Sequence, residues 1–300
     1  MTERGPQPRL RDVLLEQVRV TWIALRTPAL VGVALAAMAT LVALPTISRG
    51  GPLSINGWPT WLPGIMGALL PIVVWGRDER FGPGFLWTLP VDRHRHALTK
   101  IAAGWIWLMA GVVMFLSWLF VMTRVTGEHV LPETLHIIVS EAAGIGKVDP
   151  ATIRTVPWDP GKLMWLVPFG GATVCYFLGS ALMLGTRHPL RWVLGVALLI
   201  ALTAMVGEPV ATQFGMTWLA GAPGRLLGLI VGSRYGLDAV LTARSESLSA
   251  TATLTTGRSM RVWWGVPDLA DWAVATLLWT ALATLSLWAA ISRHGEQRRR

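Results

Sequence analysis

The chain has a single cysteine, Cys175, in 300 residues, and it lies inside an apolar run. No intrachain disulfide is therefore possible. With no further cysteine and no acidic cluster near His94 and His96, nothing completes a metal site, and no metal or other cofactor is expected. Charge is also scarce, at 14% of residues against 53% hydrophobic, and the mean hydropathy of +0.51 exceeds that of an ordinary soluble domain. Lysine occurs three times and asparagine once, at Asn56, a bias that fits translation from a GC-rich bacterial genome. Catalytic signatures are missing. Gly144-Ile145-Gly146-Lys147 has the core of a phosphate loop, but that loop needs glycine at 141 and Ser or Thr at 148, where the chain has Glu141 and Val148. No G-x-S-x-G or H-E-x-x-H occurs, so no catalytic residues are assigned and the chain is not expected to be an enzyme.

What the chain does have is long apolar runs. Runs of about 18 or more apolar residues read as transmembrane helices. Six are expected, at about 29–47, 58–75, 101–122, 163–186, 192–207 and 269–291, which gives an all-α, polytopic membrane protein. These spans hold almost no ionisable residues, which counts against a proton-coupled transporter. No cleavable leader is expected, because the first apolar run starts only near Ala29 and is too long for one. Residues 1–27 carry Leu10, Val13, Leu14, Val18 and Leu25 at roughly helical spacing, with Arg11, Glu16, Arg19 and Arg26 between them. That pattern suits an amphipathic helix on the inner leaflet, or else a basic tail that only orients the first span. Pro28 then opens span 1, and 28–300 forms the membrane domain.

Two long segments, 123–161 and 208–267, are expected outside. The second contains apolar residues 214–233, interrupted by Pro223 and Arg225. A charge at mid-bilayer costs about 2.5–3.5 kcal/mol, so short helices that re-enter the leaflet or lie on it fit better than a seventh span. Gly228 and Gly232 form a G-x-x-x-G that would permit close helix approach. Tryptophans such as Trp58, Trp61, Trp75, Trp105, Trp192, Trp263, Trp264 and Trp272 sit near span ends, as an interfacial belt requires. Asp271 lies at the outer end of span 6.

The net charge of +9 is distributed as topology demands. Segments 1–27, 76–100, 186–191 and 292–300 hold 16 of the 26 Lys and Arg in 67 residues. These alternate with the spans as cytoplasmic segments should, so both termini are expected in the cytoplasm of a cell of bacterial type. Because the basic residues flank apolar runs, they orient a plasma-membrane protein and do not form a nucleic-acid surface.

The segment Trp75–Lys100 concentrates eight charges: Arg77, Asp78, Glu79, Arg80, Asp92, Arg93, Arg95 and Lys100. Gly82-Pro83-Gly84 breaks any helix continuing from span 2. Pro83 can open a short new helix, and Pro90 ends it. Phe85, Leu86 and Leu89 fall on one face. Asp92 can cap the helix that becomes span 3. Arg93 and Arg95 follow in the first turn, where the macrodipole disfavours cations, so topology or a partner placed them there. Such an apolar knob can dock on a protein or rest on lipid headgroups.

These residues resemble the permease subunits of type-2 ABC transporters. Members tend to carry, after the second of six spans, an acidic residue, a glycine, a leucine-bearing short helix, then Leu-Pro-x-x-Arg and a lysine opening the third span. Here these positions read Glu79, Gly82, Leu86, Leu89-Pro90-Val91-Asp92-Arg93 and Lys100. Pro83 stands where Thr is common, and Asp92 where Ser is common. Likeness in residues covers about 77–105; likeness in layout covers the whole chain. The resemblance implies a permease that pairs with a second copy or paralogue in the lipid bilayer and binds a separate cytoplasmic ABC ATPase subunit. The contact would be made by Glu79, Phe85, Leu86, Leu89, Pro90, Arg93 and Lys100. It further implies export of a hydrophobic or amphipathic substrate. A membrane-embedded lipid-modifying enzyme and a non-transporting regulatory membrane protein are the alternatives.

Overall fold

Apolar runs fold as helices because, away from water, every backbone N–H and C=O must be satisfied within the segment. The computed structural model describes residues 10–48, 58–76, 93–126, 134–138, 147–148, 153–157, 162–186, 228–243, 250–254, 259–262 and 268–296, and positions 188, 189, 191, 193–195 and 198. These residues are mostly helical. The helices are α1 (Leu10–Ser48), α2 (Trp58–Trp75), α3 (Arg93–Thr126), α4 (Val167–Gly185), the short α5 (Leu237–Thr242) and α6 (Leu269–Glu296). Among the described residues, four helical segments are long and apolar enough to cross a membrane: Arg11–Val42, His94–Val125, Lys162–Gly185 and Leu269–Ser292. Trp61–Trp75 in α2 is a shorter apolar helix. The chain divides into two units.

The first unit comprises Met1–Glu128, Gly171–Arg187 and Thr280–Arg300. In it, α3 buries Ile101, Leu108, Val112, Leu116, Leu119 and Met122, which recur every three to seven residues and make one helical stripe. The opposite face exposes Val113, Met114, Phe120 and Val121. Exposed apolar residues continue along α1 from Leu30 to Val42. Surfaces so extensively apolar suit lipid, not water.

α1 runs parallel to α3. Trp22 stacks on Trp107 with ring centroids 4.7 Å apart. The Trp107 indole donates to the Val18 carbonyl at 2.9 Å, and further along Trp118 donates to Thr40 Oγ1 at 3.2 Å. α1 is continuous through Pro28, so residues 10–27 and 29–47 belong to one helix. Proline keeps a helical φ and forfeits one backbone bond and some clash energy. Within this long helix the flanking turns absorb that loss.

α2 lies antiparallel to α3 and contains Pro63 and Pro71, both buried. Pro71 leaves the Gly67 carbonyl without its helical donor. α4 is packed closely on α2 through glycine. A Cβ on Gly179 would lie 3.0 Å from both the Ala68 carbonyl oxygen and the Pro71 ring, and one on Gly67 would overlap the Ala172 backbone. α4 runs antiparallel to α3. Tyr176, fully buried, donates to the Ile101 carbonyl at 3.0 Å, and Trp105 donates to Thr173 Oγ1 at 3.1 Å.

The second unit comprises His129–Gly170 and His188–Trp279. A 3-10 turn, Lys162–Leu166, leads into α4. Met164, Val167 and Ala243 form a small core with Leu269 and Trp272 packed against it. One turn further along α4, a Cβ on Gly170 would lie 3.1 Å from Trp272 and 3.3 Å from Thr276. Contacts therefore advance together along both helices, and the starts of α4 and α6 point the same way. Between them lie a π-helical turn, Gly228–Gly232, and α5.

Among the described residues five short strands also belong to this unit, in the segments 123–161 and 208–267 that were expected to lie outside. β1 (Thr134–Ile138) pairs antiparallel with β3 (Ile153–Pro157), from Thr134↔Pro157 to Ile138↔Ile153. β2 (Lys147–Val148) pairs parallel with β4 (Ala250–Leu254), and β4 pairs antiparallel with β5 (Ser259–Val262) from Ala250↔Val262 to Thr253↔Ser259. The clue lay in β-branched content, Ile137, Ile138, Ile153, Val156, Thr251, Thr253 and Val262, which favours extended backbone.

Candidate functional site

α2 ends where its last backbone bond, from Gly76 N–H to the Ile72 carbonyl, closes at 2.9 Å. α3 starts at Arg93. The charged loop is thus strung between two antiparallel helices, and their facing ends can be followed residue by residue. Lys100 Nζ sits 4.7 Å from the centroid of the Trp75 ring. A Cβ on Gly104 would meet Val74 Cγ2 at 3.2 Å, and one on Gly111 would meet Met66 Cε at 3.2 Å.

Lys100 lies two turns inside α3, which begins at Arg93, and only 8% of its surface is exposed. A buried ammonium needs compensation, and the Trp75 face supplies part of it through its ring quadrupole. Replacing Trp75 with leucine removes that face and should destabilise the protein by about 0.5–2 kcal/mol. Thermal unfolding in detergent checks this, with Trp75→Phe expected to lie between wild type and Trp75→Leu. A Trp75→Leu protein as stable as wild type would show that the contact carries no weight.

The other expected contact residues divide clearly. Arg93 is the first residue of α3. Glu79, Phe85, Leu86, Leu89 and Pro90 lie outside the described residues, as do the capping Asp92 and the short helix expected at 83–89. His94 and His96 stand on a helix, where two residues diverge by about 200°. Among the described residues no three His, Cys, Asp or Glu side chains come together in a way that could hold a metal ion.

Two features were not anticipated from sequence. One is the Tyr176–Ile101 bond, made possible by Gly104: a Cβ there would collide with the Tyr176 hydroxyl. The other is an ion pair between Arg234 Nε and Asp271 Oδ2 at 2.8 Å, linking residues 37 apart in the chain. The bond to Asp271 raises the Arg234 guanidinium above its ordinary value. The available signal was two isolated opposite charges, each beside an apolar stretch. Gly228 and Gly232, the possible close-approach pair, lie on the π-helical turn and have open space where their side chains would be.

Helices of this length and apolarity define the chain as having the character of a transmembrane helical protein. No known protein family, curated protein or solved structure matches it.

Proposed function

We propose that the chain is the permease subunit of a type-2 ABC transporter, exporting a hydrophobic or amphipathic substrate and driven by a separate ATPase that docks on the 76–100 loop. The observation that carries this reading is the mounting of that loop. Both its ends are helices, and the helices meet at Trp75 and Lys100. A partner that pushes on the loop therefore moves α2 and α3 together, which is how a docked ATPase would bias two states of a pore. Hydrolysis belongs to the partner.

Helix direction supports six spans. α1 and α3 are parallel, α2 and α4 run against α3, and α4 and α6 start from the same end of their shared packing. Two spans that enter from one side need an odd number of crossings between them. Residues 192–207 are the best candidate for that crossing, and positions 193–195 and 198 are helical. Six crossings return both termini to the basic, cytoplasmic side of a bacterial plasma membrane. Pairing with a second permease completes the reading.

The test is co-purification in mild detergent of the tagged chain with a phosphate-loop ATPase from the same cells. Wild type should retain the ATPase, and Leu86→Asp combined with Leu89→Asp should release it and abolish transport. If the double variant still binds and transports, the docking role is wrong.

A further inference from the structure

α1 lies alongside α3, and the contacts between them carry depth from one helix to the other. In α3 the stretch Ile101–Thr123 has no charged residue, with Lys100 before it and Arg124 after it. That stretch is about 34 Å long, a little more than the roughly 30 Å hydrocarbon core of a bilayer. The core therefore begins near Ile101, and Trp107 lies about 9 Å further along the axis. Trp22 of α1 stacks on Trp107 with ring centroids 4.7 Å apart, so the two rings share a depth. Both side chains lean towards the start of their own helix. Because α1 and α3 run parallel, both lean the same way, and Trp22 sits inside the core as Trp107 does. Arg26 is one turn deeper again, about 10–15 Å below the boundary. Arg19 is nearly one turn shallower than Trp22.

Arg19 and Arg26 are seven residues apart, so they are separated by only about 20° around the helix. Both are exposed, on the side of α1 away from the buried Thr21. The same face exposes Ile23 by 45% and Leu30 by 70%. Among the described residues neither guanidinium has an ion-pair partner. Glu16 precedes Arg19 by three residues, but Arg26 has no acidic residue within two turns on either side along α1.

A cation at that depth is costly unless it finds an anion or reaches the headgroups. The long arginine side chain does the second by snorkelling. What it meets there is lipid phosphate, which a guanidinium holds through two parallel N–H···O bonds. The apolar residues beside it suit acyl chains and not water.

We infer that the face of α1 carrying Arg19 and Arg26 is a binding site for an anionic phospholipid of the leaflet that α1 enters first. The lipid phosphate is drawn to the two guanidinium groups, and its acyl chains cover Ile23 and Leu30. The inference rests on α3 crossing the bilayer. It does not depend on what the protein transports or on which ATPase it binds.

The test is lipid binding to the full-length chain. Delipidated protein in mild detergent is titrated with dioleoylphosphatidylglycerol or dioleoylphosphatidylcholine, and bound lipid is counted by native mass spectrometry on the monodisperse fraction. Wild type should hold phosphatidylglycerol more tightly than phosphatidylcholine. Arg26→Gln should weaken phosphatidylglycerol binding about tenfold, as loss of a charge-assisted pair does. Arg26→Lys keeps the charge without the planar fork and should fall between the two. Arg19→Gln should also weaken binding, which keeps the site testable if an Arg26 variant fails to fold. Arg11→Gln removes the same charge from the same helix about 12 Å before Arg19, and should bind as wild type does. Equal losses for Arg11→Gln and Arg26→Gln would reduce the effect to net charge and overturn the site. Equal binding of the two lipids by wild type would overturn its preference for an anionic headgroup. A lipid-free wild-type dimer that Arg26→Gln converts to monomer would mean that a second copy covers this face, and would overturn lipid as its occupant.

Discussion

Tyr176→Ala should leave a protein that no longer survives mild heating in detergent, while Tyr176→Phe should retain most of its stability. Tyr176 is fully buried, and its hydroxyl donates to the Ile101 carbonyl of α3. In a bilayer the usual transfer term is small, because lipid tails are as apolar as the helix interface. What remains is the void. A cavity of about 100 Å³ at about 24 cal/mol per Å³ costs about 2.4 kcal/mol. At 1.4 kcal/mol per tenfold, that is about a fifty-fold change in the folding equilibrium. The phenylalanine variant fills the same space and loses one hydrogen bond, worth about 1 kcal/mol. Size-exclusion recovery after a temperature series checks the order wild type, Tyr176→Phe, Tyr176→Ala. Equal losses for the two variants would show that the hydrogen bond, and not the packing, holds α4 on α3.

The second large effect is a contrast between two glycines. Gly67→Ala should destabilise and Gly32→Ala should not, although both are glycine-to-alanine changes within helices. Alanine improves intrinsic helix propensity by about 0.8–1.0 kcal/mol at either site. At Gly32 a Cβ meets nothing within 4 Å, so that gain stands. At Gly67 the Cβ overlaps backbone atoms of Ala172, which cannot rotate away as a side chain could. α2 and α4 would have to separate, and overpacking of this kind costs about 1–3 kcal/mol. Gly67→Val should be worse again. Parallel unfolding measurements of the three variants decide the matter. A Gly67→Ala protein at least as stable as wild type would mean that α2 and α4 are not packed this closely.

Both residues show where sequence reading stops. Gly67 and Tyr176 are unremarkable members of apolar runs, one glycine among 31 and one tyrosine of two. Nothing local marks Gly67 as a contact point, because its neighbour is 105 positions away. The expectation for the loop rested on the opposite kind of signal. Charges, prolines and glycines are local signals, and Trp75–Lys100 is dense in them. The structure adds its mounting, the Trp75–Lys100 contact, which no spacing rule predicts.

The apolar runs alone determined that helices form and where: a helix was expected at 58–75 and α2 covers those residues, α1, α3 and α6 contain their predicted runs, and α4 closely matches its own. Helix formation follows from local hydrophobicity and backbone satisfaction, both readable along the chain. Tertiary structure decided what local signals could not. Helix propensity over nearly forty residues outweighed Pro28, so α1 is one helix. Strand pairing brought 147–148 beside 250–254 across a hundred residues. Arg234 found Asp271. The strand pairing and the ion pair are choices between partners distant in sequence, set by which surfaces meet once the helices are packed.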